Sequence, residues 1–375
     1  MIYFDNAATG GKKPENVISA VSSAIRICAN PGRSGHKLSL TTANLVHECR
    51  NTLSSFFDSY GFDRVIFTKN CTEALNIALF GVLEKGDHVV TTKLEHNSVL
   101  RPLEHLKKAG FINYDVCKTA NGKLLPEEIA SRITQKTKLV IVTTASNVNG
   151  EIPPIAEIKK RLPDRILLLC DGAQGGGHLD ISMKKQGIDM LALAGHKGLM
   201  GIQGSGALLF SERVEIKPLL FGGTGSMSLS LDMPDFYPDS LEAGTLAFPA
   251  ILSLLEGIRY LTLHRREIHE KLTYLTDYLI KGLQENTAIR VYSKANPCGI
   301  VAFSHQKLQS EHVASILSDS YGIAVRGGLH CAPFMHEALG TLDGGLVRVS
   351  FSHFNTTTEI EKLLFALKEI KSNTL

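Results

Sequence analysis

The sequence predicts an α/β fold with a mainly parallel sheet, followed by a smaller α+β domain. Short apolar runs alternate with amphipathic stretches through the first two-thirds of the 375 residues, and these runs are apolar almost throughout. Runs of this kind are typical of strands that helices cover on both faces. After Phe248 the pattern changes, because a long stretch with helical spacing leads into shorter strands.

Each element follows from the spacing of apolar residues and from the turn residues between the runs. A capping box of Thr356 and Glu359 predicts where the last helix begins. The expected helices include Thr72–Leu83, Pro126–Thr134, the connecting helix Pro249–Leu283 and Glu359–Lys371. The expected strands are Val65–Thr68, His88–Thr92, Leu139–Thr144, Ile166–Cys170, Met190–Leu193, Ala207–Phe210, Gly299–Ser304 and Leu346–Phe351.

Composition and charge narrow the classes of function. The 40 basic and 37 acidic residues leave a net charge of +3 without a long basic run. Neither nucleic acid nor a membrane surface is therefore indicated as a partner. No apolar segment approaches the ~18 residues of a membrane span, and the first residues lack a signal-peptide pattern, so we expect a cytoplasmic protein.

The seven cysteines indicate free thiols. Their number is odd and no Cys-x-x-Cys occurs, so neither a zinc ribbon nor a thioredoxin-like motif is predicted, and no metal is expected. A reducing compartment is consistent with this usage. Most of these cysteines, Cys170 among them, are expected to be small core residues.

An acid and a lysine follow two successive apolar runs. Asp171 ends the run that begins at Ile166, and Lys197 follows the next run within Gly-His-Lys-Gly. Pyridoxal phosphate (PLP) needs both, because a carboxylate keeps a proton on the pyridine nitrogen and a lysine holds the aldehyde as a Schiff base. Gln174 offers an amide to the phenolic oxygen. The alternatives are a turn aspartate and a solvated loop lysine.

Further polar residues follow other strands, and the carboxyl ends of parallel strands meet at one edge of a sheet. Asn70-Cys71-Thr72-Glu73 opens a helix whose N–H groups and hydroxyl could bind phosphate, or which Thr72 simply caps. His96 could stack on the pyridine face or be an ordinary polar residue. We therefore group Thr72, His96, Asn147, Asp171 and Lys197 into one site.

Two downstream residues indicate which reaction such a site would perform. Cys331 lies in Arg-Gly-Gly-Leu-His-Cys-Ala-Pro, where His330 and Arg326 are expected to lower the pKa of its thiol and make it a nucleophile. The alternative is an inert loop thiol. Arg348 lies opposite the apolar face of its strand, which suits bidentate binding of an α-carboxylate. The alternative is a surface salt bridge.

Nine motifs together resemble those of a known family. The chain resembles class V aminotransferase-family enzymes of PLP fold type I, and more closely the Suf-type cysteine desulfurases and selenocysteine lyases. The motifs are YFDNAAT (3–9), FTKNCTEALN (67–76), LEHNSVLRP (94–102), ASNVNG (145–150), CDGAQ (170–174), GHK (195–197), EAGT (242–245), RGGLHCAP (326–333) and VRVSFSHFNT (347–356).

The resemblance implies a large domain with a mainly parallel seven-stranded sheet over 15–255 and a small α+β domain formed by 1–14 and 256–375. It also implies a homodimer with shared active sites. The implied cofactor-binding residues are Lys197, Asp171, Gln174, His96, Thr72, Cys71, Asn147, His196 and, toward the phosphate of the partner subunit, Thr245. The implied substrate-binding residues are Arg348, Arg326, Asn147 and Arg33, and the implied catalytic residues are Lys197, Cys331, His96 and Asp171.

Two positions depart from the family pattern. The family usually has serine or threonine before Gly-His-Lys, and its hydroxyl binds phosphate, whereas this chain has Ala194. One charge-assisted hydrogen bond, about 1.5–3 kcal/mol of cofactor binding, is thereby lost. The second departure is His353-Phe354, where a tyrosine is common.

The resemblance implies a PLP-dependent cysteine desulfurase that converts L-cysteine to L-alanine and carries the sulfur as a persulfide on Cys331. Cys331 lies on a short segment, as in the group whose members often pass sulfur to an acceptor protein. The alternatives are a selenocysteine lyase, another class V aminotransferase or PLP lyase, and a non-catalytic sulfur-carrier scaffold. Neither a Gly-x-Gly-x-x-Gly nor a Walker A pattern occurs, so a dehydrogenase or kinase is not predicted.

Overall fold

The computed structural model describes residues 1–27 and 29–370. Its helices are α1 Glu15–Arg26, α2 Lys37–Phe56, α3 Cys71–Val82, α4 Asn97–Lys108, α5 Pro126–Ala130, α6 Ile155–Lys160, α7 Met183–Gln186, α8 Phe248–Gln284, α9 Ser310–Tyr321, α10 Pro333–Leu339 and α11 Thr357–Glu369. Its strands are β1 Ile2–Tyr3, β2 Val65–Thr68, β3 His88–Thr92, β4 Asn113–Cys117, β5 Thr119–Ala120, β6 Lys123–Leu124, β7 Thr137–Thr143, β8 Leu167–Asp171, β9 Met190–Ala194, β10 Gly206–Phe210, β11 Ile289–Val291, β12 Ile300–His305, β13 Ile323–Ala324 and β14 Val347–Ser350.

A seven-stranded sheet organises the larger part of the molecule. Its strand order is β2-β10-β9-β8-β7-β3-β4, and only β10 runs antiparallel to its neighbours in this described sheet. The prediction of a mainly parallel seven-stranded α/β fold is therefore confirmed. The edge strand β4 was not predicted, because its sequence Asn-Tyr-Asp-Val-Cys is polar and all but its last residue are at least partly exposed.

Helices bury both faces of this sheet, which explains the nearly continuous apolar runs. Alternate residues of a strand belong to different cores: Leu168 packs with the core that contains α8, whereas Leu167 packs with the core that contains α3 and α4. Both side chains are buried. A strand with two covered faces cannot show the polar alternation of a half-exposed strand.

The long helix α8 joins the large sheet to the C-terminal part, close to the predicted span of Pro249–Leu283. Its first half packs against the segment after Lys197, where Gly257 permits a close approach. A Cβ on Gly257 would lie 2.2 Å from the carbonyl oxygen of Leu199. The second half carries the antiparallel sheet β11-β12-β14. This helix therefore links the lysine segment to the C-terminal region.

The N-terminal strand belongs spatially with the C-terminal region, since β1 pairs in parallel with β13. This pairing supports the proposed division into 15–255 and 1–14 with 256–375. The capping box is confirmed: Thr356 accepts the N–H of Glu359, whose carboxylate accepts the N–H of Thr356. The helix predicted from Pro126 ends at Ala130, not Thr134, because a turn follows it.

Lys371, the predicted end of the last helix, and Cys28, one of the seven cysteines, lie outside the described residues. Among the residues that the structure describes, no helix has the length and apolar character that crossing a membrane requires.

Candidate active site

The predicted residues meet in one cavity at the carboxyl edge of the sheet. Strands β2, β3, β7, β8 and β9 all end there, and each contributes the residues that follow it. The lining residues are Asn70, Cys71, Thr72, His96, Ser98, Thr143, Ala145, Asn147, Asp171, Ala173, Gln174, Ala194, His196 and Lys197. Eight of the nine predicted cofactor-binding residues are in this set, and Thr245 is the exception.

Asp171 is held so that one carboxylate oxygen stays available. Its Oδ1 accepts the backbone N–H of Ala173 at 2.9 Å and the thiol of Cys71 at 3.3 Å. Its Oδ2 has no hydrogen-bond partner in the described chain. Burial and the Asp171 charge raise the pKa of Cys71 well above its usual range, so Cys71 remains a protonated donor. The Cys71 thiol therefore helps to hold the Asp171 carboxylate in place.

Lys197 lies near this carboxylate, and its amine has no hydrogen-bond partner among residues 1–27 and 29–370. Burial lowers the pKa of Lys197, and the negative charge of Asp171 partly opposes that effect. The preceding residue is anchored by the N-terminal segment, because the His196 carbonyl accepts the Gly10 N–H at 3.0 Å and the Lys13 ammonium at 2.9 Å. A lysine with a lowered pKa in a fixed loop is suited to condense with a carbonyl.

His96 caps helix α4 and forms one wall of the cavity. Its Nδ1 accepts the backbone N–H of Ser98 at 3.0 Å, so a proton on the neutral ring belongs on Nε2. Burial lowers the pKa of His96 to about 4. The ring is therefore neutral near pH 7 and fixed in orientation, as a stacking residue must be.

Hydroxyls and a helix N-terminus lie at one end of the cavity. Asn70 caps α3, and the Thr72 hydroxyl contacts that of Ser98 at 2.8 Å. His196 also lines the cavity, with its Nδ1 3.0 Å from the Thr9 hydroxyl. Sequence reasoning missed Ser98, although its position in the first turn of a helix after a strand was a usable signal.

The residues present fit PLP. The unpartnered Asp171 oxygen and the unpartnered Lys197 amine would match the pyridine nitrogen and the aldehyde. The α3 N-terminus and the Thr72 and Ser98 hydroxyls would match a phosphate. Ala194 lies in the wall and contributes no hydroxyl. Gln174 donates to the carbonyl of Ala7 at 3.1 Å and keeps its side-chain oxygen unpartnered within the described residues.

A buried carboxyl group behind the cavity was not predicted. Glu95 is fully buried, and its Oε1 accepts the Thr92 hydroxyl at 2.7 Å and the Thr143 N–H at 2.9 Å. Its Oε2 is buried without a partner among the described residues. Burial above all, and also the nearby Asp171, raises the pKa of Glu95 to about 8. Glu95 is therefore mainly protonated at neutral pH.

Hydrogen bonds attach the Cys331 segment to the wall of this cavity. The Cys331 carbonyl accepts the Asn97 N–H at 2.7 Å, and the His330 carbonyl accepts the Asn147 side-chain amide at 2.8 Å. His330 and Cys331 both have left-handed backbones, with φ of 51° and 56°. Such a conformation costs non-glycine residues about 1–2 kcal/mol each. The strained backbone is therefore held by its contacts.

The half-buried thiol of Cys331 has a cationic neighbour. An Nη2 of Arg326 lies 3.8 Å from its Sγ. The expected role of His330 needs correction, because burial first and then the Arg348 charge lower its pKa to about 2. A neutral imidazole cannot stabilise a thiolate by charge, so Arg326 remains the candidate for that role.

Arg348 is fully buried, whereas a surface salt bridge would require an exposed side chain. Its Nη2 donates to Asp5 at 2.8 Å and its Nη1 to the Asn147 carbonyl at 3.0 Å. Its Nε is buried without a partner in the described chain. Asp5 was missed by sequence reasoning, because its partner is distant in sequence. The carboxylate fixes the guanidinium plane and compensates its charge.

Thr245 and Arg33 lie outside the cavity. Thr245 lines a separate cavity with Glu242, whose carboxylate pairs with Arg50 at 2.5 Å. Arg33 donates to the carbonyls of Gly223 at 3.2 Å and Gly244 at 2.6 Å, and so supports the segment before Thr245. The substrate role of Arg33 stays a prediction.

The aminotransferase class-V family model matches residues 2–363. The chain belongs to this family. It is 34% identical over 381 residues to a probable cysteine desulfurase of Methanothermobacter thermautotrophicus, covering 98% of the chain and 94% of that protein. A probable cysteine desulfurase of Pyrococcus abyssi is 33% identical, with 99% and 94% covered.

A solved structure agrees with the same assignment. The apo structure of the cysteine desulfurase from Thermococcus onnurineus superposes with a TM-score of 0.89 at 31% identity, over 98% of this chain and 94% of that one. The predicted fold and family are therefore confirmed.

Proposed function

We propose that the protein is a PLP-dependent cysteine desulfurase that converts L-cysteine to L-alanine and takes the sulfur onto Cys331 as a persulfide. The observation that carries this proposal is the attachment of the Cys331 segment, through Asn97 and Asn147, to the cavity that contains Lys197. The cysteine desulfurases among its relatives support the same activity.

PLP, when bound, supplies an electron sink that stabilises negative charge on the substrate carbon. In this proposal Lys197 would hold the aldehyde, Asp171 would keep the proton on the pyridine nitrogen, and His96 would cover the ring. Gln174 and Asn147 would bind the phenolic oxygen. Thr72, His196 and the α3 N-terminus would hold the phosphate, to which Thr245 of a second copy would add a hydroxyl.

Arg348 is proposed to bind the α-carboxylate of L-cysteine, with Asp5 fixing its guanidinium group. Arg326, whose backbone pairs with that of Arg348, lies between this carboxylate site and the thiol. These two arginines provide positive charge on one side of the cavity. An amino acid would therefore bind with its carboxylate toward them and its side chain toward Cys331.

The chemistry then needs a proton transfer and a sulfur transfer. The amine of Lys197 accepts the proton from Cα, and the electron pair of that bond stays with the substrate. The thiolate of Cys331 next attacks the substrate sulfur. The new S–S bond forms as the C–S bond breaks, and the electron pair of the C–S bond goes to Cβ, which a proton then converts to a methyl group. Lys197 returns a proton to Cα, which completes alanine. Cys331 is left as a persulfide.

A sulfur-acceptor protein and a second copy of the chain are the proposed partners. The half-exposed position of Cys331 leaves its sulfur within reach of an acceptor. The segment from Leu219 to Phe236 exposes several large apolar residues, and Leu229 and Leu231 are fully exposed. Exposed apolar side chains next to the cavity of Thr245 support a homodimer. The six described cysteines are unpaired, as in a reducing cytoplasm.

The test measures product formation and the absorbance of bound PLP in the wild type and three variants. The wild type should form alanine and, with a thiol reductant, sulfide from L-cysteine. Cys331→Ala should keep the visible absorbance of bound PLP but lose sulfide release, whereas Lys197→Ala should lose the absorbance. Cys117→Ala is a control, because this buried β4 thiol lies away from the site. Undiminished sulfide release by Cys331→Ala would contradict the persulfide step.

The alternative activities predict different outcomes in the same assay. A selenocysteine lyase would form alanine from selenocysteine much faster than from cysteine. Another class V aminotransferase or lyase would release no sulfur through Cys331. A scaffold without catalysis would be colourless after addition of PLP.

A further inference from the structure

A second cavity adjoins Lys197. We call it the rear cavity and define it by Lys197, Gln174, His178, Cys298 and His353, all of which line it. Lys197 and Gln174 also line the candidate active site. The lysine therefore separates a front cavity, where substrate would bind, from a rear cavity that contains two histidines.

His178 presents a proton-accepting nitrogen to the rear cavity. Its Nδ1 lies 3.0 Å from the Gln174 carbonyl oxygen, which only accepts hydrogen bonds, so the proton of the neutral ring is on Nδ1. Its Nε2 has no protein partner in the described chain. Gly198, directly after Lys197, makes room for this ring, since a Cβ there would lie 3.0 Å from Nε2. Burial lowers the pKa of His178, which keeps the ring neutral.

His353 connects the rear cavity to a tyrosine hydroxyl. Its Nε2 lies 2.9 Å from Oη of Tyr260, and its Nδ1 is buried without a partner among the described residues. A tyrosine hydroxyl donates or accepts, so either tautomer of His353 fits this contact. Burial lowers the pKa of His353 to about 4. The neutral ring can thus receive a proton on one nitrogen and release one from the other.

Tyr260 leads from His353 to a surface cavity. That cavity is lined by Tyr260, His264, Glu267 and Lys271, and also by His353. The rings of Tyr260 and His264 are 4.5 Å apart, and Nδ1 of His264 is 3.2 Å from Glu267. His353 thus lines both the rear cavity and the surface cavity, and Tyr260 contacts it at the surface cavity.

We propose, on the basis of the function proposed above, that His353 and Tyr260 form a proton route between solvent and the rear side of Lys197. A proton that Lys197 has taken from Cα leaves its Nζ as a proton arrives at an imidazole nitrogen of the rear cavity. His353 then releases a proton to the Tyr260 hydroxyl, in the direction of solvent. The same steps in reverse return a proton to the amine of Lys197. Only N–H and O–H bonds are exchanged, and no electrons are transferred.

This route gives His353 a role that its sequence pattern alone did not indicate. Substrate would occupy the front of Lys197, in the cavity that His96 and Asp171 line together with the lysine. A rear route would let Lys197 exchange its protons with solvent while the substrate stays bound. His353 and Tyr260 are positioning residues in this scheme, since they act through Lys197.

The test follows the fate of the substrate hydrogen. L-Cysteine labelled with deuterium at Cα is converted in ordinary water, and the deuterium left at Cα of alanine is measured by mass spectrometry. The wild type should retain little, because Lys197 exchanges its protons before returning one. His353→Phe and Tyr260→Phe should retain severalfold more. Tyr278→Phe is the matched control, because it removes a hydroxyl that contacts Glu361 at 3.0 Å on the same helix.

Each outcome decides the proposal. Unchanged deuterium retention in Tyr260→Phe and His353→Phe with bound PLP would overturn the route. If His353→Phe fails to fold, Tyr260→Phe alone decides. A wild type that forms no alanine would overturn the proposed function, and the route with it.

A second measurement does not depend on activity. Nitrogen NMR of histidine in the cofactor-free protein should show a neutral His353 at pH 7, with a tautomer ratio that changes in Tyr260→Phe. A charged His353, or a ratio that Tyr260→Phe leaves unchanged, would also count against the route.

Discussion

Burial keeps several ionisable side chains of the site in their neutral form. The pKa values of His96 and His196 are lowered to about 4, and burial is the largest cause in each case. The positive charge near the candidate substrate site therefore comes from Arg326 and Arg348. Neutral rings can stack or relay protons, while the arginines attract carboxylate and thiolate, so the two kinds of residue have separate tasks.

Glu95 provides a pH prediction. Its pKa is about 8 in the folded protein and near 4.5 when the chain is unfolded. Between these values the native state holds a proton that the unfolded state releases, so this group makes stability fall as pH rises from about 4.5 to 8. Glu95→Gln should remove that slope. Its unfolding free energy relative to wild type should increase between pH 5.5 and 8 in urea titrations, and a constant difference would contradict the assignment.

Because Ala194 lacks a hydroxyl, we expect that a hydroxyl at this position would strengthen PLP binding. Ala194→Ser places a hydroxyl in the cavity wall, and one charge-assisted hydrogen bond of about 1.5–3 kcal/mol corresponds to roughly tenfold to hundredfold tighter binding. The PLP dissociation constant is measured by reconstituting cofactor-free protein. Ala192→Ser is the control, because this residue lies on the same strand, outside the cavity. Equal affinities of Ala194→Ser and wild type would show that other ligands already satisfy the phosphate.

Among the elements, helix α8 has the widest influence on the site. It packs against the segment after Lys197, carries Tyr260, and extends to the C-terminal sheet. Its contact with the lysine segment depends on a glycine, although glycine is unfavourable inside a helix. Close packing at this point outweighs helix propensity.

Gly257→Ala tests this contact. Alanine favours a helix by up to about 1 kcal/mol over glycine, yet the added Cβ would lie 2.2 Å from the Leu199 carbonyl oxygen. We expect lower stability in denaturant titrations and a smaller fraction of bound PLP, because the Lys197 segment must shift. Leu263→Ala, on an exposed position of α8, is the control. A more stable Gly257→Ala protein would refute the packing argument.

For the molecule as a whole, distant parts of the chain complete one site. Asp5 near the N-terminus pairs with Arg348, and the Lys13 ammonium supports the His196 carbonyl. The 219–236 segment, by contrast, presents apolar side chains to solvent in a single copy. A second copy is the proposed partner of that segment.

The double variant Leu229→Asp, Leu231→Asp should therefore be monomeric in sedimentation analysis, because a charge in an apolar interface is costly. It should also retain PLP less well, since Thr245 could no longer reach a partner site. Leu263→Asp is the control, because Leu263 is also an exposed leucine but lies on α8. This variant should remain dimeric. A monomeric wild type, or a dimeric double variant, would contradict the proposed interface.

Sequence reasoning predicted six of the seven strands of the large sheet, the capping box of α11 and the residues that follow the predicted strands, because these depend on local patterns. It missed Glu95 and Asp5, whose importance comes from burial and from a partner far away in sequence. It assigned His330 a charge that burial removes. It also could not give a role to His353, whose contact with Tyr260 joins residues 93 positions apart.

The sequence by itself determined the fold class, the family and the set of residues at the strand ends, since apolar periodicity and the order of motifs are properties of the chain. Only the tertiary structure decided which groups are charged, because desolvation and distant partners set each pKa. It alone placed Cys331 against the Lys197 cavity and the two histidines behind the lysine, because these contacts join segments that packing, and not sequence proximity, brings together.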